Sequence, residues 1–392
     1  MLSITRAAAA VLSGLGLLCG AASAQAPALP NHPVTISVVD VAGNLALTQP
    51  AFEQFRKEHP NLVSRFVFSQ APAPDLPGKL RAQQAAGRLD IDLVLTGTDA
   101  LSAGMAQDVW LPILPQFGAD FPNLDANYLP GADAMFNLFH GVGLVIAYYP
   151  SGPLLEYAPG RVASPPGSAE ELAAYCHAHP GKFMYARPAN SGPGRTFLMG
   201  LPYILGDKDP KDPVNGWEKT WAYLKDLNSC IDYYPSGTTV TMKELGEGSR
   251  DVIVTTTGWD INPRVLGIVP EDAKVATLRG FHWVTDAHYM AVPRGIAPDK
   301  LAVVLQVMQA MLTPPLQAYE YDKGYFYPGP AVRDVPLSMA PQESQDVLKQ
   351  YGRPEYDQLI AGAPLETPLD PDKMVAAFHK WDEEIGATKT SR

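Results

Sequence analysis

From Val34 onward the sequence alternates short β-prone runs with helical runs, and this alternation narrows the possible folds more than any other feature. "VTISVVDV" has the β-branched character of a strand. "TQPAFEQFRKEHP" then shows helical spacing: Phe52 and Phe55 share a face, Thr48 stands where a cap belongs, and Pro60 stops the run. "LVSRFVF" predicts the next strand, "LPGKLRAQQAAG" a helix closed by Gly87, "IDLVLT" a third strand and "GVGLVIAYY" a buried one. Such repetition is the mark of an α/β domain with a largely parallel sheet.

A second series starts near Pro150. "GSAEELAAYCHAHP" opens with a capping box, Ser168 with Glu171. "KFMYA" reads as a strand, and "NSGPGRTFLMGLPYIL" as a glycine-rich turn feeding a helix. "NGWEKTWAYLKDL" sets Trp217, Trp221 and Leu224 on one face, which reads as core. "IDYY" and "DVIVTTT" read as strands, and "AKVATL" and "AHYMAVP" follow. "APDKLAVVLQVMQAML" and "DPDKMVAAFHKWDEEIG" complete the pattern as helices. Two such series within 392 residues predict two domains.

The ends and the charge bound the setting. "MLSITR" with Arg6, the apolar run "AAAAVLSGLGLL", and "ASA" at Ala22, Ser23 and Ala24 read as a cleaved secretory signal peptide over residues 1–24. Leu18 is too bulky for a lipoprotein site at Cys19, and no later segment has the length and apolarity of a transmembrane helix. Formal charge is −11, and no basic run interleaves with aromatics, so nucleic acid is not expected as a partner. Export implies an oxidising compartment, where Cys176 and Cys230 are expected to form a disulfide. It would close a loop of about 55 residues and contribute ~4 kcal/mol. The competing use of "CHAH", with Cys176, His177 and His179 as metal ligands, puts successive residues on different helix faces. No metal site is therefore expected.

Open α/β sheets bind ligands beyond the carboxyl ends of their strands. Four such places here are rich in small and polar residues: "AGNL" with Asn44, "TGTD" with Thr96, Gly97, Thr98 and Asp99, "NSGPGR" with Asn190, Ser191, Gly192 and Arg195, and "TTTGWDINPR" with Trp259 and Asp260. Two fall in each half, as they would around a cleft between two lobes. The glycines of "NSGPGR" let backbone approach a ligand, and a helix start with Arg195 favours an anion. The plainer alternative is a helix that Ser191 caps. Trp259 beside Asp260 suits an organic cation, through ring face and charge together. The plainer alternative there is a core tryptophan next to a capping aspartate. No "GxSxG" or "HExxH" occurs, and His282 and His288 flank Asp286 without an activated nucleophile. Neither catalytic residues nor a cofactor is expected.

The order and spacing of "DIDLVLTGTDALSAGMAQDVWLPI", "GVGLVIAYYP", "GKFMYARPANSGPGRTFLMGLPYIL", "DVIVTTTGW" and "RGFHWVTDAHYMAVPRGIAPDKLAVVLQVMQAML" resemble the periplasmic solute-binding proteins of ABC importers. The subgroup is that of polyamine, thiamine, iron and sulfate binders. The resemblance implies an α/β, two-lobed periplasmic binding protein fold of type II, each lobe a mixed sheet flanked by helices. Lobe 1 would span residues 25–145, lobe 2 residues 146–286, a return to lobe 1 residues 287–335, and C-terminal helices over 336–392 would pack mainly on lobe 2. "GVGLVIAYY" and "DAHYMAVP" would cross between lobes, and Trp259 and Asp260 would lie at the cleft edge. Polyamine binders carry an acid five residues before the proline of the second crossing strand, where this chain has His288, with Asp286 two residues earlier. Iron binders carry adjacent tyrosines where this chain has Trp259 and Asp260. Neither ligand is carried over. The implied function is capture of a small polar solute, zwitterionic, cationic or heterocyclic, by lobe closure. A monomer in the periplasm would deliver it to an ABC permease in the inner membrane. The other classes are an exported hydrolase on an α/β scaffold and a structural surface protein; missing catalytic motifs and missing repeats weigh against them.

Overall fold

The computed structural model describes residues 25–389, so the expected signal peptide lies outside the described residues. The strands are β1 (Val34–Asp40), β2 (Val63–Gln70), β3 (Leu93–Thr96), β4 (Trp110–Leu111), β5 (Leu144–Gly152), β6 (Leu154–Tyr157), β7 (Phe183–Met184), β8 (Val252–Thr255), β9 (Lys274–Ala276), β10 (Trp283–Pro293), β11 (Gly329–Pro330) and β12 (Leu365–Glu366). The helices of nine or more residues are α1 (Leu45–Glu58), α2 (Leu76–Ala85), α3 (Thr98–Ala106), α4 (Pro130–Leu138), α5 (Ala169–Ala178), α6 (Gly192–Leu205), α7 (Glu218–Asn228), α8 (Thr238–Glu247), α9 (Pro298–Met311), α10 (Gln342–Tyr351) and α11 (Pro371–Glu384).

A large sheet has the order β11-β5-β10-β3-β1-β2, with β4 and β12 also paired to β10. β1 lies parallel to β2 and β3, as the strand–helix rhythm requires. β10 runs antiparallel to β3 and β5, so the sheet is mixed rather than largely parallel. That direction has no local signal, because β10 reaches its neighbours from the far end of the chain. A smaller sheet has the order β7-β8-β6-β9, with only β7 and β8 parallel. The chain passes from the large sheet to the small one at Pro153, between β5 and β6, and returns between β9 and β10.

Several local expectations shift. α1 begins at Leu45, so Thr48 lies inside it and donates its hydroxyl to the Asn44 carbonyl at 2.9 Å. The start is organised by Asp40, whose carboxylate accepts from the amides of Ala42 (2.9 Å), Asn44 (3.0 Å) and Leu45 (3.1 Å). "IDYY" forms no strand. Cys230 holds one end through its disulfide, Pro235 follows the other, and buried Tyr234 packs edge-on against Trp381 at 4.9 Å. Ser168 does cap α5, accepting from the Glu171 amide at 3.2 Å, and the Glu171 carboxylate accepts from the Gly167 amide. Trp217, Trp221 and Leu224 are buried together as core.

Cys176 and Cys230 are bonded, with Cα atoms 5.7 Å apart. His177 pairs with Asp226 at 3.0 Å and His179 lies against the Tyr175 ring, so "CHAH" does not converge on a metal. α11 reaches both sheets' surroundings. On one side Ser102 of α3 donates to the Met374 sulfur. On the other, the Trp381 indole donates to the Tyr185 hydroxyl at 3.1 Å, and Asp382 and Glu384 pair with Arg187 and Lys225.

Candidate functional site

Strand ends and helix starts from both sheets enclose a cavity of about 320 Å³. The large sheet contributes the turn after β1 (Val41, Ala42, Gly43), Gln70 at the end of β2, and Gly97 and Asp99 after β3. The small-sheet side contributes Asn190, Ser191, Gly192 and Arg195 at the start of α6, Gly237, Thr238 and Thr239 at the start of α8, and Trp259. Tyr149 of β5 and His288 of β10 form the floor, and Tyr325 and Phe326 close one side.

The buried centre is a guanidinium between two carboxylates. Arg195 donates to Asp99 at 2.9 Å and to Asp286 at 2.6 Å. The other Asp99 oxygen accepts from the Ala100 amide at 2.8 Å. Asp286 also accepts from the Thr98 hydroxyl (3.2 Å), the Ala287 amide (2.9 Å) and the Tyr149 hydroxyl (3.3 Å). Every carboxyl oxygen of the pair therefore accepts a bond, an arrangement that suits the ionised forms. Burial pushes the Asp99 carboxyl above its ordinary value, and Arg195 pulls it back. The two acids hold Arg195 firmly protonated against its own burial. This group links the α3 start, the α6 start and the strand β10 that joins the two sheets' regions.

His288 shares a strand face with Asp286, two residues away. Burial lowers it to about 4, so its ring is neutral at neutral pH. Nδ1 then accepts from Asn44 Nδ2 at 3.2 Å, and the remaining proton sits on Nε2. The aromatic wall is built by contact among rings. Trp259 meets Tyr325 at 5.2 Å, Tyr149 stacks on Phe326 at 4.8 Å, and Phe326 meets His288 at 4.2 Å. Gly258 allows that approach: its φ is +99°, and a Cβ there would stand 2.4 Å from the Tyr325 carbonyl oxygen.

The sequence-predicted residues separate into three groups. Gly97, Asp99, Asn190, Ser191, Gly192, Arg195, Trp259 and His288 line the cavity. Asn44, Thr96 and Thr98 lie buried behind it; Asn44 and Thr98 bond to His288 and Asp286, and Thr96 to the Gly97 carbonyl. Asp260 is not brought into the cavity. It is fully buried, accepts from the Gly258 amide at 3.0 Å, and forms ion pairs with Arg353 and, at 3.8 Å, Arg264. The turn that exposes Trp259 turns Asp260 inward. His282 is also elsewhere, paired with Glu366 at 3.1 Å and stacked on Tyr203.

The expected anion seat at α6 is largely closed. Ser191 Oγ accepts from the Gly194 amide at 3.1 Å, Pro193 has no amide hydrogen, and both ends of Arg195 are engaged. Sequence reading missed Tyr149, Gln70, Tyr325, Phe326 and the α8 start. Tyr149 sits on a strand read as buried, where its inward side chain was readable in principle. "GYFYP" follows a helix and carries no strand-end signal.

The profile of the bacterial extracellular solute-binding proteins matches residues 51–349. No curated protein matches the sequence significantly. Among solved structures, a periplasmic thiamin binding protein is 15% identical with a TM-score of 0.63, covering 94% of this chain and 100% of that one. A putative spermidine/putrescine ABC transporter protein from Listeria monocytogenes is 14% identical with a TM-score of 0.60, covering 91% of this chain and 99% of that one. The periplasmic binding protein AfuA from Actinobacillus pleuropneumoniae, with fructose-6-phosphate bound, is 15% identical with a TM-score of 0.62, covering 90% of this chain and 98% of that one. These likenesses establish the two-sheet periplasmic binding protein fold.

Proposed function

Since the chain belongs to the bacterial extracellular solute-binding proteins, we propose that it captures a small polar organic solute in the periplasm and delivers it to an ABC permease of the inner membrane. The observation that carries this reading is a cavity walled by elements of both sheets, with the Arg195–Asp99 pair crossing it. In this reading lobe 1 comprises residues 25–145 with 287–335, and lobe 2 comprises 146–286; the segment after 335 touches both. The strands β5 and β10 and their continuations act as the hinge. Solute contacts made only when the lobes meet stabilise the closed form, and the permease recognises that form. The working unit is a monomer, exported through the signal peptide at residues 1–24. Eight of the predicted residues serve as contacts, Gly97 to His288 as they line the cavity, joined by Tyr149, Tyr325 and Phe326.

The hydrolase reading gains no support from the cavity. Ser191 Oγ is bonded to Thr238 at 2.7 Å and to the Gly194 amide, not to a base. His288 bonds to Asn44 instead of a hydroxyl or thiol.

The test is small-angle scattering with and without a solute found by thermal-shift screening. The radius of gyration should fall on saturation. An unchanged radius, with crystals of the empty protein showing open lobes, would reject the trap mechanism.

A further inference from the structure

We propose that the solute is an organic cation carrying one net positive charge on a ring or a compact apolar body. This rests on the solute-capture reading and names its substrate class.

The first support is the charge arrangement. Asp99 and Asp286 share one guanidinium, Arg195, so the formal count at the cavity leaves one carboxylate in excess. The remaining titratable groups there do not offset it. His288 is neutral, and Tyr149 and Tyr325 hold their protons because burial raises both phenols. Asp40, behind the β1 turn, is a further carboxylate whose oxygens are met by the amides of the α1 start, so it does not offset the excess. A charge excess between protein walls is costly until a counter-charge arrives, and a cationic solute supplies one.

The second support is that three of the four helix starts around the cavity already have a side-chain acceptor. Asp40 takes the amides at the start of α1, Asp99 takes the Ala100 amide of α3, and Ser191 takes the Gly194 amide of α6. The start of α8 has no side-chain cap. Its partial charge of about half a unit is too small to hold an anion beside a surplus carboxylate. An anion there would meet an Arg195 whose charge is already shared between Asp99 and Asp286.

The third support is the wall. Trp259, Tyr325, Tyr149 and Phe326 line the same cavity as Asp99. A ring face attracts a cation and also accepts a flat apolar body, so these side chains add to the preference set by charge.

The experiment is a charge-sorted thermal-shift and calorimetry series on the mature, disulfide-intact protein. The probes are benzylamine, choline, N-methylpyridinium and thiamine as cations, benzyl alcohol and nicotinamide as uncharged counterparts, and benzoate, sulfate and fructose 6-phosphate as anions. A cation should raise the melting temperature, and Asp99→Asn should weaken it by about tenfold or more, the scale of one lost charged contact. If Asp99→Asn does not fold, Trp259→Leu should weaken the same cation in its place. Stabilisation only by uncharged or anionic probes would overturn the cation class and leave solute capture standing. Stabilisation by none of the three sets would overturn both the class and the reading beneath it.

Discussion

Two buried acid–arginine clusters, built from the same residue types, lie on either side of the turn that begins at Gly258. Around Arg195 stand two carboxylates, and the group opens onto a cavity. Around Asp260 stand two guanidiniums, Arg353 and Arg264, and the group is closed by backbone. Arg353 also donates to the Ala273 carbonyl, and Arg264 to the carbonyls of Asp260 and Tyr351. The first cluster has acid in excess beside empty space; the second uses its donors on the fold itself. The difference teaches that a buried ion pair marks a site only when its leftover charge faces a space that a ligand can enter.

The sharpest way to break this comparison is to remove Arg353. Arg353→Leu leaves Asp260 buried with only the more distant Arg264, so stability should fall by about 3–5 kcal/mol. Solute affinity of the folded fraction should be unchanged. Urea melts and calorimetry on one preparation check both halves, and a large loss of affinity without a loss of stability would merge the two clusters into one site.

Glu156 of β6 belongs to the closed cluster and gives the next effect. Its carboxyl is fully buried. Burial and then the charge of Asp260 push it up to about 8, against the pull of Arg353 and Arg264. Its folded value lies above its unfolded one. Between about pH 4.5 and 8 the unfolded chain therefore binds fewer protons than the folded one, and stability falls as pH rises, by roughly 1.4 kcal/mol per unit. Glu156→Gln should remove that slope. Identical slopes in urea melts of both proteins across this range would show that Glu156 is ionised or paired in solution.

His288, in the open cluster, should act with the opposite sign and over a shorter span. Its folded value, about 4, lies below the usual histidine value. The stability that its neutral form contributes is complete above about pH 6.5 and lost as pH falls toward 4, at roughly 1.4 kcal/mol per unit. His288→Gln should flatten that limb only. Proton NMR of the imidazole gives a direct check, and a midpoint near 6.5 would contradict the buried, neutral ring.

How much of this was legible in the sequence depends on whether the cause was local. The β1–α1–β2–α2–β3 rhythm, the Ser168 and Ser191 caps and the disulfide pairing all rest on neighbouring residues or on compartment chemistry. Asp99, Arg195 and Trp259 were readable as cavity lining because their segments follow strands of an open α/β sheet. Asp260 was not, since a single positive-φ residue, Gly258, decides which of two adjacent side chains faces the cavity. Its partner Arg353 lies 93 residues away, and nothing in "YGRPEY" signals that pairing. Tyr325 and Phe326 were hidden for the same reason: they reach the cavity from a return segment whose placement is set by packing.

The smallest expected effect compares one substitution in each cluster. Asp260→Asn removes the buried carboxylate between Arg353 and Arg264, and leaves them Glu355, 3.8 Å from Arg353, and the buried Glu156 as the remaining acids. It should cost about 3 kcal/mol, the scale of a broken buried pair. Asp99→Asn removes a carboxylate whose proton affinity is raised by burial. A raised folded value means that the ionised form costs the folded state some stability at neutral pH, and asparagine relieves that cost. Arg195 keeps Asp286 at 2.6 Å, and the amide oxygen at position 99 still accepts one of the two bonds that the carboxylate accepted. Loss of the other bond and gain from the relieved burial nearly cancel, so the empty protein should change by less than about 1 kcal/mol. Urea melts of the two solute-free variants beside the parent decide the matter. Equal losses would mean that Asp99 is as much a part of the fold as Asp260, and that the acid excess at the cavity is structural.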